Sequence, residues 1–228
     1  GNNIYIVSEG VYAGVIQLAN TGEFLGYFTS NKSKLTPQQM FLKLIYTKEQ
    51  QKKSELLNTL PSTFSNVFVD TNGTAYSTCM GTGNDLLKKH STDGTNMLGN
   101  VKTSSALTDV TANKDGIIYA SDSHGMIWVY TSQGEVIFQL GAEAADKDIS
   151  GLFTSLTTIA VDNSGNIWTA DGEKGYLQSF TPTEYATTIF KALKEYENGD
   201  YKEALTDWNY VLRLNQMSVL AHNGVAKA

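Results

Sequence analysis

Asp122 and Asp171 stand three positions after a recurring aromatic residue, in register with Ser8 and Cys79 of two other segments. Carboxylates held at one structural position in successive units can converge on a cation or on sugar hydroxyls. A hard cation needs several oxygen ligands, so two Asp residues are too few unless other donors join them. Glu9, one position out of register, is the candidate substitute for Ser8. The same Asp position has a plainer use, in which the carboxylate accepts backbone N–H groups and closes a turn. Both readings stand. No cofactor is required by these residues, and a divalent Ca or Mg ion is the one they could suit.

The other reactive side chains point less sharply to chemistry. His124 lies in a turn beside Asp122, a lone Asp-x-His, while His222 falls in a C-terminal helical stretch. His90 occupies the strand position held elsewhere by Leu18, Tyr130 and Phe180, where packing is the expected role. No His-Glu-x-x-His, Gly-x-Ser-x-Gly or paired-cysteine motif occurs. Gly81-Thr82-Gly83 lacks the further Gly and the helix that a phosphate loop needs. Cys79, the single cysteine, has no evident base partner and reads as a small strand residue. For a carbohydrate platform the irregular aromatics Tyr12, Trp128 and Tyr176 are the candidates, at an expected rim. The ligand-binding set is therefore Glu9, Asp122, His124, Asp171, Trp128 and Tyr176.

These positions are set by a repeated phrase. It reads Gly73-Thr74-Ala75-Tyr76, Gly116-Ile117-Ile118-Tyr119 and Gly165-Asn166-Ile167-Trp168, with a degraded copy at Asn2-Asn3-Ile4-Tyr5. Gly73 and Gly116 lie 43 residues apart, and Gly116 and Gly165 lie 49 apart, the extra length falling in an acidic loop from Ala142 to Gly151. In the third unit, Leu107 to Ala112, Ile117 to Ser121, Met126 to Tyr130 and Glu135 to Leu140 read as strands separated by Gly-, Asn- and Asp-rich turns. Four short antiparallel strands per roughly 40–45 residues is the spacing of a β-propeller blade. The regular aromatics Tyr5, Tyr76, Tyr119 and Trp168 then form the core between blades. The expected fold is mainly β: a partial propeller of about four four-stranded blades over residues 1–182.

Two segments depart from that period. Residues 33–60 form a helical insertion, with Thr36-Pro37 as a helix start and Thr47 and Gln50 in capping-box spacing. The insertion is locally basic, and Lys48, Lys52 and Lys53 could dock an acidic partner or lipid head groups, or simply be a solvated helix face. Residues 183–228 switch to helical spacing: Thr183 to Asn198, a Gly199-Asp200-Tyr201 turn, Lys202 to Asn215, then a further helix from Met217. Ala192, Leu193, Tyr196, Ala204, Leu205 and Trp208 make its apolar seam.

Composition narrows the partners. The chain has 228 residues, 41% hydrophobic content and a net charge of −6, with no stretch apolar enough to span a bilayer. An acidic balance argues against nucleic acid. Abundant Asn, Ser, Thr and Gly with three prolines suits a turn-rich β protein.

The segment Ala160-Val161-Asp162-Asn163-Ser164-Gly165-Asn166-Ile167-Trp168-Thr169-Ala170-Asp171 resembles an NHL-type propeller repeat, and the resemblance extends over roughly residues 2–181 outside the insertion. The tail looks like a tetratricopeptide repeat at Ala192, Gly199-Asp200-Tyr201, Ala204 and Trp208, departing from it at Val211 and Gln216. Together they resemble bacterial gluconolactonase-like proteins with a membrane region, which implies an extracytoplasmic, membrane-anchored protein whose membrane contact comes from segments missing here. Propellers of that type have about six blades, so the resemblance implies a chain truncated at both ends. Lactonase relatives hold a divalent metal on carboxylates, but no motif for that site carries over residue by residue. Two functions follow: a non-enzymatic binding or assembly module for a protein or carbohydrate, or a metal-dependent sugar-lactone hydrolase.

Overall fold

The computed structural model describes residues 3–8, 10–31, 37–48, 50, 62–81, 85–104, 106–144 and 146–228. Alternating apolar runs broken by Asn, Asp and Gly fold into successive antiparallel meanders. The first sheet has β1 (Ile4–Ile6), β2 (Ile16–Leu18) and β3 (Phe24–Tyr27), and the second has β4 (Phe64–Val69), β5 (Ala75–Cys79) and β6 (Leu87–His90). The third holds β7 (Leu107–Ala112), β8 (Ile118–Asp122), β9 (Ile127–Tyr130) and β10 (Val136–Leu140). A short parallel pair, β11 (Ala142–Glu143) with β12 (Leu152–Phe153), ties down both ends of the acidic loop. The fourth sheet is β13 (Leu156–Val161), β14 (Ile167–Asp171) and β15 (Tyr176–Phe180). Among the described residues no sheet closes into a barrel.

The turns are stitched by side chains. Asn113 Oδ1 accepts from the N–H groups of Asp115 and Ile117, both at 3.0 Å, and Asp162 Oδ1 accepts from Ser164 and Asn166 at 2.8 and 2.9 Å. Such Asx turns satisfy backbone donors that would otherwise be stranded at the strand ends. A bulge recurs at one place in three sheets, between Phe64 and Asn66, Leu107 and Asp109, and Leu156 and Thr158. It bends the first strand of each sheet, and these strands contact one another in chain order, β4 to β7 and β7 to β13.

The sheets pack face on face through two cores. One joins Tyr76, Leu87 and Phe64 to Ile118, Ala120, Trp128 and Tyr130. The other joins Tyr119, Ile127 and Val129 to Phe153, Ile159 and Ile167. Each such buried side chain contributes about 1.5–3 kcal/mol relative to exposure.

Among the described residues, four strands per unit holds only in the third sheet. In the second, the fourth strand is replaced by a lone bridge from His90 to Asn96. The cause is local: Asn96 Oδ1 accepts from the N–H groups of Lys89 and Leu98, so a side chain takes over part of the ladder.

In the insertion, α1 (Pro37–Ile45) starts at the expected proline. Thr47 N–H donates to Gln50 Oε1 at 2.9 Å and Gln50 N–H to Thr47 Oγ1 at 3.4 Å, a reciprocal capping box. Residues 51–61 lie outside the described residues.

At the C-terminus the apolar seam yields α2 (Glu184–Asn198), α3 (Tyr201–Leu214) and α4 (Val219–Lys227). Thr183 caps α2 and Ser218 caps α4, each accepting an N–H three residues on. Ile189, Ala192, Ala204, Trp208, Val211 and Ala221 are buried between the helices. Val211 is fully buried. Phe190 and Leu193 pack against both the helical core and the second of the two sheet cores, Phe190 lying 6.0 Å from Phe138 between ring centroids, and Lys194 Nζ meets Asp115 at 2.7 Å. The helices thus rest on the outer edge of the third sheet.

Candidate functional site

The two in-register carboxylates are turn closers. Asp122 Oδ1 accepts from the N–H groups of His124 and Met126 at 2.9 and 3.0 Å, and its Oδ2 accepts from Trp128 Nε1 at 3.0 Å. Asp171 Oδ1 accepts from Glu173 and Lys174 at 3.1 and 2.9 Å, while its Oδ2 accepts from Thr154 N–H at 2.7 Å. Burial alone would raise the Asp171 pKa, but these backbone donors outweigh it and hold the carboxyl below its ordinary value. Both side chains are 2% exposed, so little of either carboxylate faces solvent. Among the described residues no three His, Cys, Asp or Glu side chains converge to hold a metal.

Trp128 is not a rim platform. It is buried, lies parallel to Tyr130 with ring centroids 6.2 Å apart, and spends its indole N–H on Asp122. The sheet face that carries it packs on the second sheet, which the sequence of one unit does not reveal. Tyr176 is half-buried beneath Lys174, whose Nζ lies 5.6 Å from its ring centroid and 3.2 Å from Asp148. His124 is exposed, and Lys48 is exposed. Glu9, Lys52 and Lys53 lie outside the described residues. Within the candidate ligand set, Asp122 meets Trp128 side chain to side chain and accepts from the backbone N–H of His124.

Polar groups that sequence reasoning missed lie between the sheets. Ser77 Oγ is 2.7 Å from His90 Nε2, and His90 Nδ1 is 3.1 Å from the Gly94 carbonyl oxygen. That geometry places the proton on Nδ1 and makes Ser77 the donor to Nε2. Burial, the largest effect, lowers the His90 pKa to about 4 against a weaker opposing pull from the Gly94 carbonyl, so the ring is neutral at pH 7. Ser77 is fully buried and His90 nearly so, which closes this serine–histidine pair to substrate. Nearby, Asn31 Nδ2 donates to the Cys79 sulfur at 3.3 Å and Asn31 Oδ1 accepts from Lys88 Nζ, which also lies 5.3 Å from the Phe64 ring centroid. Burial raises the Cys79 pKa, with Asn31 and Lys88 offsetting part of the rise.

An accessible concavity sits where sheets and helices meet. It is a groove of about 240 Å³, with Thr131, Gln133 and Glu135 from a turn of the third sheet on one side and Tyr196, Trp208 and Leu220 from the helices on the other. Trp208 Nε1 is buried there without a hydrogen-bond partner among the described residues. The Ser132 hydroxyl donates to Glu197 at the groove's end. The arrangement is an amphipathic cleft edged by Glu135, Glu197 and Lys227.

No protein-family description matches the chain, and no curated protein sequence does. Among solved structures it is similar to a protein of unknown function from Bacteroides caccae, at 10% identity and a TM-score of 0.46 over 80% of this chain and 54% of that one. It is also similar to the computationally designed Ika4 protein, at 12% identity and a TM-score of 0.46 over 80% and 87%. A third is a catalytically inactive virginiamycin B lyase from Staphylococcus aureus with quinupristin, at 14% identity and a TM-score of 0.46 over 80% and 53%. The chain thus spans about half the length of the Bacteroides and Staphylococcus proteins. Identities this low transfer neither substrate nor reaction.

Proposed function

We propose that the chain is a non-enzymatic binding and assembly module, a partial propeller of NHL-like sheets with a tetratricopeptide-like helical extension. Its partner is a protein or a carbohydrate. The observation that carries this reading is the groove between the Thr131–Glu135 turn and the helices, an open cleft with apolar walls and an unpaired indole N–H. The engagement of Asp122 and Asp171 by turn N–H groups supports it, because a hydrolytic metal site would need those oxygens free. The helical spacing supports the repeat assignment: Gly199 in the left-handed conformation ends α2, and Ala192, Ala204 and Trp208 fill the seam. We place the protein outside the cytoplasm on its Asn-, Ser- and Thr-rich composition. Among the described residues no helix is long and apolar enough to cross a membrane.

The test has two arms. The immobilised chain is screened against a glycan array and a peptide library, and any hit is repeated with Leu220→Glu and Tyr196→Ala; binding that falls about tenfold or more supports the groove as the site. In parallel, δ-gluconolactone hydrolysis is followed with added Ca or Mg and with a chelator. Metal-dependent turnover abolished by Asp122→Asn and Asp171→Asn would replace this reading with the hydrolase.

A further inference from the structure

The first sheet carries apolar side chains on both faces. Tyr5, Val15 and Phe28 point toward the second sheet, Phe28 standing edge-on between Tyr5 at 5.0 Å and His90 at 5.5 Å. The cross-strand partners on the opposite face are Ile4, Leu18 and Phe24 in one row and Ile6, Ile16 and Tyr27 in the next. The register shift at Gln17/Leu18 brings Phe24 and Tyr27 to the same side, their ring centroids 5.6 Å apart. Ile4, Ile6, Phe24 and Tyr27 are 45%, 39%, 57% and 50% exposed, so this uncharged face is open. Apolar side chains exposed together on one sheet face suit an interaction site.

The register of the repeats says what fits it. Tyr5, Tyr76 and Tyr119 occupy one position, and each packs toward the sheet that follows in the chain. Trp168 holds that position in the fourth sheet, where it is 42% exposed beside Leu177 at 70%. Ile4, Ala75, Ile118 and Ile167 occupy the receiving position, paired across the strand with Leu18, His90, Tyr130 and Phe180. Among the described residues this face pairing recurs between successive sheets, joined also strand to strand through β4, β7 and β13 in the last two cases, and it leaves the donor face of the fourth sheet and the acceptor face of the first exposed.

We propose that a second copy of this chain docks here head to tail, its Trp168–Leu177 face against the Ile4–Tyr27 face. The surface is distinct from the groove and stands without it. Such a contact is heterologous: two copies satisfy all four faces if they close on each other, and longer assemblies form if they do not.

Sedimentation velocity between about 1 and 100 μM shows the state of the wild-type chain, whose mass at least doubles across that range. Phe24→Glu disables the acceptor face and Leu177→Glu the donor face. Each variant alone stays monomeric, and far-UV circular dichroism and urea midpoints matching the wild type confirm that it is folded. Mixed, the two variants retain one intact donor and one intact acceptor, and form a one-to-one pair that grows no further. A wild-type chain monomeric at the highest concentration overturns the proposal. So does association blocked by Phe24→Glu but untouched by Leu177→Glu, which would signify two first sheets meeting face to face, and so does failure of the mixed variants to pair.

Discussion

The carboxylate of Asp109, on the first strand of the third sheet, accepts hydrogen bonds from the hydroxyl of Thr158 and, at 2.9 Å, from the N–H of Ile159 in the fourth. One acidic side chain thus pins two sheets together at the bulge that both share, and it is 5% exposed. Its other oxygen accepts from the N–H of Val110 at 2.7 Å. Replacement by Ala strands two buried donors, at a cost of about 1–3 kcal/mol for each group left unsatisfied. Asp109→Ala is therefore expected to lower the urea midpoint strongly, and Asp109→Asn, which keeps the acceptor oxygens in part, by less than half as much. Equal losses from the two variants would deny the carboxylate this role.

Gly94 and Gly22 separate backbone conformation from close approach. Both have φ in the left-handed region, +82° and +87°. A Cβ on Gly22 meets nothing within 4 Å, whereas one on Gly94 falls 2.1 Å from the carbonyl oxygen of Phe28. Gly22→Ala should cost only the conformational penalty, about 1–2 kcal/mol. Gly94→Ala forces the first and second sheets apart and is expected to exceed about 3 kcal/mol. Urea unfolding of the two variants reads the difference directly; similar values would mean that the junction yields freely.

His90 makes stability depend on pH. Its folded pKa near 4 lies below its ordinary value of 6.5, so between those values the unfolded chain binds more protons than the folded one. Stability then rises with pH across that window. Its contribution is complete above pH 6.5, is lost as the pH falls toward 4, and amounts to about 3 kcal/mol in all. His90→Gln, which can still bond Ser77, should flatten the stability profile between pH 4 and 6.5 while carboxylate effects persist below it. A slope unchanged by this substitution would locate the titration elsewhere.

The strands of the third sheet were legible because short runs rich in Val, Ile, Tyr and Trp sit between turns bearing Asn, Asp, Ser and Gly. The missing fourth strand of the second sheet was not, since it turns on Asn96 reaching back to Lys89 N–H. The turn-closing use of Asp122 and Asp171 was visible as one of two readings, because it depends only on N–H groups within a few residues for most of its bonds. Trp128 was misplaced and the Asp109–Thr158 pair unseen for a shared reason. Both are decided by which sheet face meets which, a relation between segments about 50 residues apart that periodicity within one unit does not carry. The packing of His90 followed from its register with Leu18, Tyr130 and Phe180, while its Ser77 partner lay on a neighbouring strand.

Cys79 reports on opening of the second sheet. Its side chain is fully buried, burial raises its pKa, and Asn31 covers the sulfur. A thiol reagent needs the thiolate and a path to it, and the native fold denies both. Labelling with an aromatic disulfide at pH 8 is therefore expected to be slow and to keep pace with local or global unfolding measured by hydrogen exchange. Asn31→Ala removes the cover and the hydrogen bond from Lys88 Nζ, so it should accelerate labelling by about tenfold or more while shifting the urea midpoint by a smaller factor. Fast stoichiometric labelling of the wild type would instead show that the second sheet opens toward solvent at the Asn31 contact.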